Sequence, residues 1–162
     1  MKMGRGWIVL AGLAWFCGCA QQDRPPGMPD LFPCTLTFTQ NGQPLVEATI
    51  EVVGVDSTEW SAGGLTDQAG RVELVTYGQF PGVREGRHKV VVNKRESEAS
   101  EAVEEMEGGI VLSGGGSSLP TEYTLVDQQY TSAASTPLTI EITSGGEHEE
   151  TFELGAPVRE RL

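Results

Sequence analysis

Cys34-Thr35-Leu36-Thr37-Phe38-Thr39-Gln40-Asn41-Gly42-Gln43-Pro44-Leu45-Val46-Glu47-Ala48-Thr49-Ile50-Glu51-Val52 is the stretch whose pattern decides the fold. Apolar and polar residues alternate at its start. Cys34, Leu36 and Phe38 therefore share one face and three threonines the other, the period of a half-buried strand. Asn41-Gly42 suits the positive φ angles of a tight turn. Beyond it Ala48, Ile50 and Val52 point inward while Glu47, Thr49 and Glu51 point outward. The stretch predicts a first hairpin-like unit.

The same period continues downstream. Residues 54 to 64 read as a loop or weak strand around Trp60 that ends in Gly63-Gly64. In Thr66-Asp67-Gln68-Ala69-Gly70 the aspartate can cap a turn that the glycine closes. Val72 and Leu74 alternate with Arg71 and Glu73. After a loop interrupted by Pro81, residues 87 to 93 form a strand with His88, Val90 and Val92 on one side. Residues 94 to 120 break the rhythm, and the acidic insert at 95 to 118 reads as a solvated loop. Its first half suits one short helix starting near Ser97 or Ser100 and stopping at Gly108-Gly109. Ile110-Val111-Leu112 suits a strand and residues 114 to 118 a flexible run. Leu138, Ile140 and Ile142 then alternate with polar partners, residues 151 to 154 close the domain with Phe152 and Leu154 inward, and 156 to 162 read as a loose tail. About seven short strands with no long helix predict an all-β sandwich.

Upstream of this domain lies a different kind of segment. Lys2 and Arg5 form a positive start, and residues 7 to 17 are an uncharged, mostly apolar run. That run is too short to span a bilayer as a helix, which takes about 20 residues. It ends at Phe16-Cys17-Gly18-Cys19-Ala20, which resembles the bacterial lipobox, with a small residue before a cysteine that is acylated and becomes the new N-terminus. Cys17 is the poorer candidate, because bulky Phe16 would then occupy the cleavage position. The expected boundaries are a signal peptide at 1–18, a Pro-rich spacer at 19–33 after lipidated Cys19, the domain at 34–155 and the tail at 156–162. The resemblance implies a protein held by lipid on the outer face of the cytoplasmic membrane or on the outer membrane. Ala20 in place of Asp leans toward the outer membrane.

Loss of residues 1–18 leaves nine basic residues against twenty-three acidic ones, a formal charge of −14. Such a chain repels nucleic acid and anionic headgroups, so attachment falls to acyl chains and not to a basic patch. Cys34 is then the one thiol besides Cys19, which excludes an intramolecular disulfide. It reads as a small buried apolar residue.

Four motifs in order carry a further resemblance. Asn41 through Ile50 resembles the G-x-P-L-x-x-A-x-V hairpin of carboxypeptidase-regulatory-like domains. Gly64-Leu65-Thr66-Asp67-Gln68-Ala69-Gly70-Arg71-Val72 is similar to their T-D-x-x-G-x-F turn, and Gly86-Arg87-His88-Lys89-Val90-Val91-Val92 to their G-x-Y-x-V-x-V strand. The segment around Tyr130, with Ser135-Thr136-Pro137-Leu138-Thr139-Ile140-Glu141-Ile142, resembles small lipoproteins of planctomycetes. The resemblance implies an immunoglobulin-like/transthyretin-like β-sandwich, usually with no known activity. His88 departs from the family's aromatic residue, and the acidic insert has no counterpart there.

Chemistry-bearing residues are sparse. His88 occupies a core-facing strand position and reads as a packed ring. His148 sits in Gly146-Glu147-His148-Glu149-Glu150, where no second histidine or thiolate completes a zinc set. Glu96, Glu98, Glu101, Glu104, Glu105 and Glu107 lack the spaced Asp/Asn pattern of a calcium loop and read as a charged, solvated face. Transthyretin-like folds include a hydroxyisourate hydrolase with several histidines and a C-terminal Tyr-Arg-Gly-Ser; this chain ends Val158-Arg159-Glu160-Arg161-Leu162. No nucleophile elbow, P-loop or Cys-His pairing is present. The expectation is a non-catalytic module without cofactor or metal, acting structurally or on an envelope protein. The alternative is a glycan or small ligand held by the loop aromatics Trp60, Tyr77 and Phe80, three rings close together in sequence.

Overall fold

A computed structural model describes residues 24–98 and 120–162. Cys19 and the greater part of the acidic insert, with its expected helix turns and the strand at 110–112, lie outside the described residues.

The chain is all-β. β1 (Leu31–Phe32) precedes β2 (Cys34–Gln40), which turns into β3 (Gln43–Pro44). Asn41 and Gly42 both take left-handed backbone, with φ of 48° and 71°, as a two-residue hairpin demands. The chain then leaves this sheet, and β4 (Thr49–Gly54) pairs with β5 (Ala62–Leu65) in the opposite one. The expected hairpin arms are therefore in different layers, both feeding one core through Leu36, Phe38, Ile50 and Val52. Thr66 holds the crossover. Its buried hydroxyl donates to the Leu45 carbonyl at 2.6 Å and accepts from the Ala48 N–H at 2.8 Å.

β6 (Arg71–Glu73), β7 (Val75–Thr76), β8 (Phe80–Pro81) and β9 (Val83–Arg84) follow as short pieces, then the long β10 (Gly86–Asn93). β11 (Arg95–Glu98) and β12 (Thr121–Thr124) flank the undescribed segment, and β13 (Thr139–Ile142), β14 (His148–Glu153) and β15 (Glu160–Arg161) complete the chain. One layer is a six-stranded sheet in the order β13-β10-β4-β5-β7-β8. The other is β14-β2-β3, with β6 also pairing to β2. β14 runs parallel to β2, which sets Phe152 opposite Phe38 with ring centroids 5.5 Å apart. Among the described residues no helix is long and apolar enough to cross a membrane.

Three boundaries differ from the sequence reading. Pairing begins at Leu31 and not at Cys34, because Leu31–Phe32 lies against Val83–Arg84. Residues 95–98 are strand and not helix, since Glu98 through Arg95 pair with Thr121 through Thr124. The tail is not loose: Glu160–Arg161 pairs with β12, and the Arg159 guanidinium sits 3.7 Å above the Tyr123 ring while meeting Glu96 and Glu98. About seven strands were expected, and fifteen strand segments occur among the described residues. Pro33, Gly82 and other interruptions split longer runs into short pieces.

Thr66→Val removes both hydrogen bonds of the crossover while keeping its shape, and should lower unfolding stability by about 1–3 kcal/mol. Thr66→Ser, which keeps the hydroxyl, should lose much less. Denaturant midpoints of the two variants check this.

Candidate ligand-binding site

One end of the sandwich is organised by Arg84. Its backbone pairs with Leu31, and its carbonyl accepts a hydrogen bond from His88 Nε2 at 2.9 Å. Its Nη2 donates to the Ser57 carbonyl at 2.9 Å. The guanidinium passes over Gly54, where any Cβ would collide with it. Its Nε is shielded from water and has no partner among the described residues.

The segment before the sandwich folds onto this end. Residues 25–28 make a turn, with Met28 N–H donating to the Pro25 carbonyl at 3.2 Å and Gly27 at φ 84°. Pro26-Gly27 at the two central positions is the type II signature, since only the second needs positive φ. β1 then comes into backbone contact with Gly82. A Cβ there would lie 2.7 Å from the Phe32 carbonyl oxygen and 3.1 Å from its nitrogen, so a side chain would push the segment off.

Between this segment and the loop at residues 57–60 lies a solvent-facing cleft of about 480 Å³. Gly27, Pro29, Asp30 and Phe32 form one wall; Ser57, Glu59 and Trp60 form another; Arg84, Glu85 and Ser144 complete it. The volume falls within the usual range of small-molecule sites. Ser144 Oγ donates to Glu85 Oε1 at 3.3 Å, and Asp30 meets Arg24 at 3.9 Å. Glu59 and Glu85 have no ion-pair partner among the described residues.

The three loop aromatics separate. Trp60 lines the cleft, half-buried, with its ring centroid 5.1 Å from that of Tyr77. Tyr77 is 52% exposed and borders a different, shallow groove over Gly63-Gly64. Trp60 and Tyr77 both hold left-handed backbone, with φ of 62° and 52°. That conformation is uncommon for bulky residues and is found where surrounding structure enforces it. Phe80 is buried and lines neither space. Asp30, Glu59 and Arg84 were missed in the sequence, because their convergence depends on β1 pairing with β9, which no local pattern announces.

The remaining candidates have structural roles. His88 is buried in the core region; desolvation holds its pKa below the ordinary histidine value, and Nδ1 has no partner. His148 Nε2 reaches the Thr143 carbonyl at 2.9 Å and so closes the turn that follows β13. Asp67 Oδ1 accepts from the N–H groups of Ala69 and Arg71, each at 2.8 Å, as the capped turn requires. Cys34 is buried, and desolvation, with Glu150 nearby, pushes its thiol up to about 11. Among the described residues no group of three or more His, Cys, Asp or Glu is placed to hold a metal. Glu153 is a second missed residue. Its carboxylate accepts from Thr39 Oγ1 at 2.7 Å and from the Asn41 N–H at 2.8 Å, tying the first hairpin to the end of β14.

No protein-family model matches the chain, and no curated protein sequence does. Among solved structures, a 9R-lipoxygenase from Cyanothece PCC8801 matches with 16% identity and a TM-score of 0.36, over 83% of this chain and 18% of that one. A likeness at that score carries no argument about this protein.

Two outcomes follow from the buried groups. The unfolded chain binds a proton at His88 that the folded chain resists, so stability should be full above the ordinary histidine value and fall as pH drops below about 6.5. His88→Phe should flatten that fall, as read from denaturant midpoints across the range. Cys34 should stay unreactive toward a disulfide reagent at pH 8 in the folded protein and react at once in denaturant, because the thiolate is the nucleophile.

Proposed function

We propose that this chain is a lipid-anchored envelope protein displaying one non-catalytic β-sandwich module. The observation that carries this reading is the run from Lys2 to Ala20: a positive start, an apolar stretch too short to span, and Gly18-Cys19 at its end. Acylation there converts an exported chain into an anchored one, and an acidic surface contributes no headgroup attraction of its own. The carboxypeptidase-regulatory-like resemblance of residues 34 to 155 agrees with a display or interaction role. Seven residues separate Cys19 from Gly27, and the eight steps between them span at most about 29 Å of extended chain, which would keep the cleft close to the bilayer.

A second reading, small-ligand binding, is favoured by one observation. Trp60 lines a cleft of ligand size together with charged and hydroxyl side chains. The two readings are compatible, since an anchored module can also hold a ligand.

Expressed in a bacterium that processes lipoproteins, the chain should incorporate labelled palmitate and partition with membranes. Cys19→Ala should abolish the label and release the protein to the soluble fraction. Membrane retention of the Cys19→Ala protein, or palmitate incorporation that survives it, would contradict the anchor.

A further inference from the structure

We propose that the cleft between the segment at residues 27–32 and the Trp60 loop binds a neutral, polyhydroxylated ligand, a pyranose unit of a glycan. The inference develops the ligand-binding reading and is independent of the lipid anchor.

The cleft offers both halves of a hydrogen-bonding set around one flat ring. Asp30, Glu59 and Glu85 contribute carboxylates, which only accept. Arg84 contributes a guanidinium whose Nη2 gives one N–H to the Ser57 carbonyl and whose Nε–H is shielded from water, which leaves the remaining Nη hydrogens, without an acceptor among the described residues, for the cleft. Trp60 adds an aromatic surface whose position is set by Tyr77 and by its own left-handed backbone.

Charge narrows the ligand. An anion would suit Arg84 but would face three carboxylates, of which only Asp30 meets a cation, Arg24, in a chain of formal charge −12. A simple cation would suit the carboxylates but would be repelled by the Arg84 guanidinium, whose free donors would keep water as their acceptor. A hydroxyl both donates and accepts, so a sugar satisfies carboxylates and guanidinium together. The apolar C–H face of a pyranose matches the Trp60 ring, which is the usual division of labour between an apolar surface and a few placed polar groups.

The site is also incomplete without the segment next to the anchor. Asp30 and Phe32, with Gly27 and Pro29, form one wall, held by the two-residue pairing of β1 with β9, by the packing of Phe32 against the core and by the missing side chain at Gly82. A bound sugar would bridge this segment to the sandwich, so binding and docking of the segment should strengthen each other.

Trp60 is the one tryptophan after Cys19, so tryptophan emission of the processed, full-length lipoprotein in detergent reads the cleft directly. Titration with maltohexaose, cellohexaose and chitohexaose should give a saturable emission change with at least one of them. Binding of that probe, followed by calorimetry, should weaken at least about tenfold in Trp60→Ala, in Asp30→Asn and in Gly82→Val. The exposed carboxylate variants Asp30→Asn and Glu59→Gln keep the test valid if Trp60→Ala misfolds. Glu149→Gln, on a groove elsewhere, should bind as the parent does. The proposal is overturned if none of the three sugars binds at up to about 10 mM. It is overturned equally if choline or inorganic sulfate saturates the cleft instead, or if sugar binding survives Asp30→Asn and Glu59→Gln unchanged. Palmitate labelling is unaffected by any of these results, so failure here leaves the anchor standing.

Discussion

Pairing of Leu31–Phe32 with Val83–Arg84, across a glycine that has no side chain to intervene, is the constraint on which the cleft end of this molecule depends. It places the segment that follows the proposed anchor against the sandwich. It also fixes the backbone of Arg84, whose carbonyl satisfies His88 and whose guanidinium reaches Ser57 across Gly54. One arginine thereby connects the first strand, the long β10 and the Trp60 loop. The cleft is the space those three connections leave between them.

The layers behind it are held by burial more than by polar contacts. Leu36, Phe38, Ile50, Val52, Val90, Val92, Ile140 and Ile142 are almost fully withdrawn from water. Burial of such side chains contributes about 1.5–3 kcal/mol each before chain entropy is subtracted. The ion pairs of Arg71, Arg95 and Arg159 sit on exposed surface and add little individually. Polar groups matter where they are buried or where several donors converge. Thr66 sets the crossover between layers, and Glu153 joins the Asn41-Gly42 turn to β14. The Glu153 carboxyl is held below the usual carboxylate range, chiefly by the Thr39 hydroxyl, so this tie is present in the ionised form and weakens as pH falls into the acid range.

Much of the fold was legible because it is local. The alternation at Cys34-Leu36-Phe38, at Val72-Leu74 and at His88-Val90-Val92 gives the strands and their buried faces, and Asn41-Gly42 and Asp67 give their turns. Which strand pairs with which was not legible. The alternation of β2 and β4 is equally satisfied by one hairpin or by two facing sheets; the second occurs, with Thr66 bonded to both sides of the crossover. The parallel pairing of β14 with β2 joins residues over a hundred positions apart. The sequence groups Trp60, Tyr77 and Phe80 only as aromatics on loops that could share one end; in the structure Trp60 lines the cleft, Tyr77 borders another groove and Phe80 is buried, because the β7–β8 turn points its two aromatics in different directions. Pro25-Pro26-Gly27 suggested an extended spacer, yet the same residues are suited to a type II turn, and the turn is what occurs.

Amide hydrogen exchange at Asp30, Leu31 and Phe32 of the full-length protein addresses the docked segment most directly. The account predicts that the Leu31–Phe32 stretch exchanges well below the rate of an unstructured peptide, and that Gly82→Val raises it to that rate while β2 and β10 stay protected. Free-peptide exchange of this stretch in the parent protein would contradict the account, leaving a bare sandwich on an unattached leash.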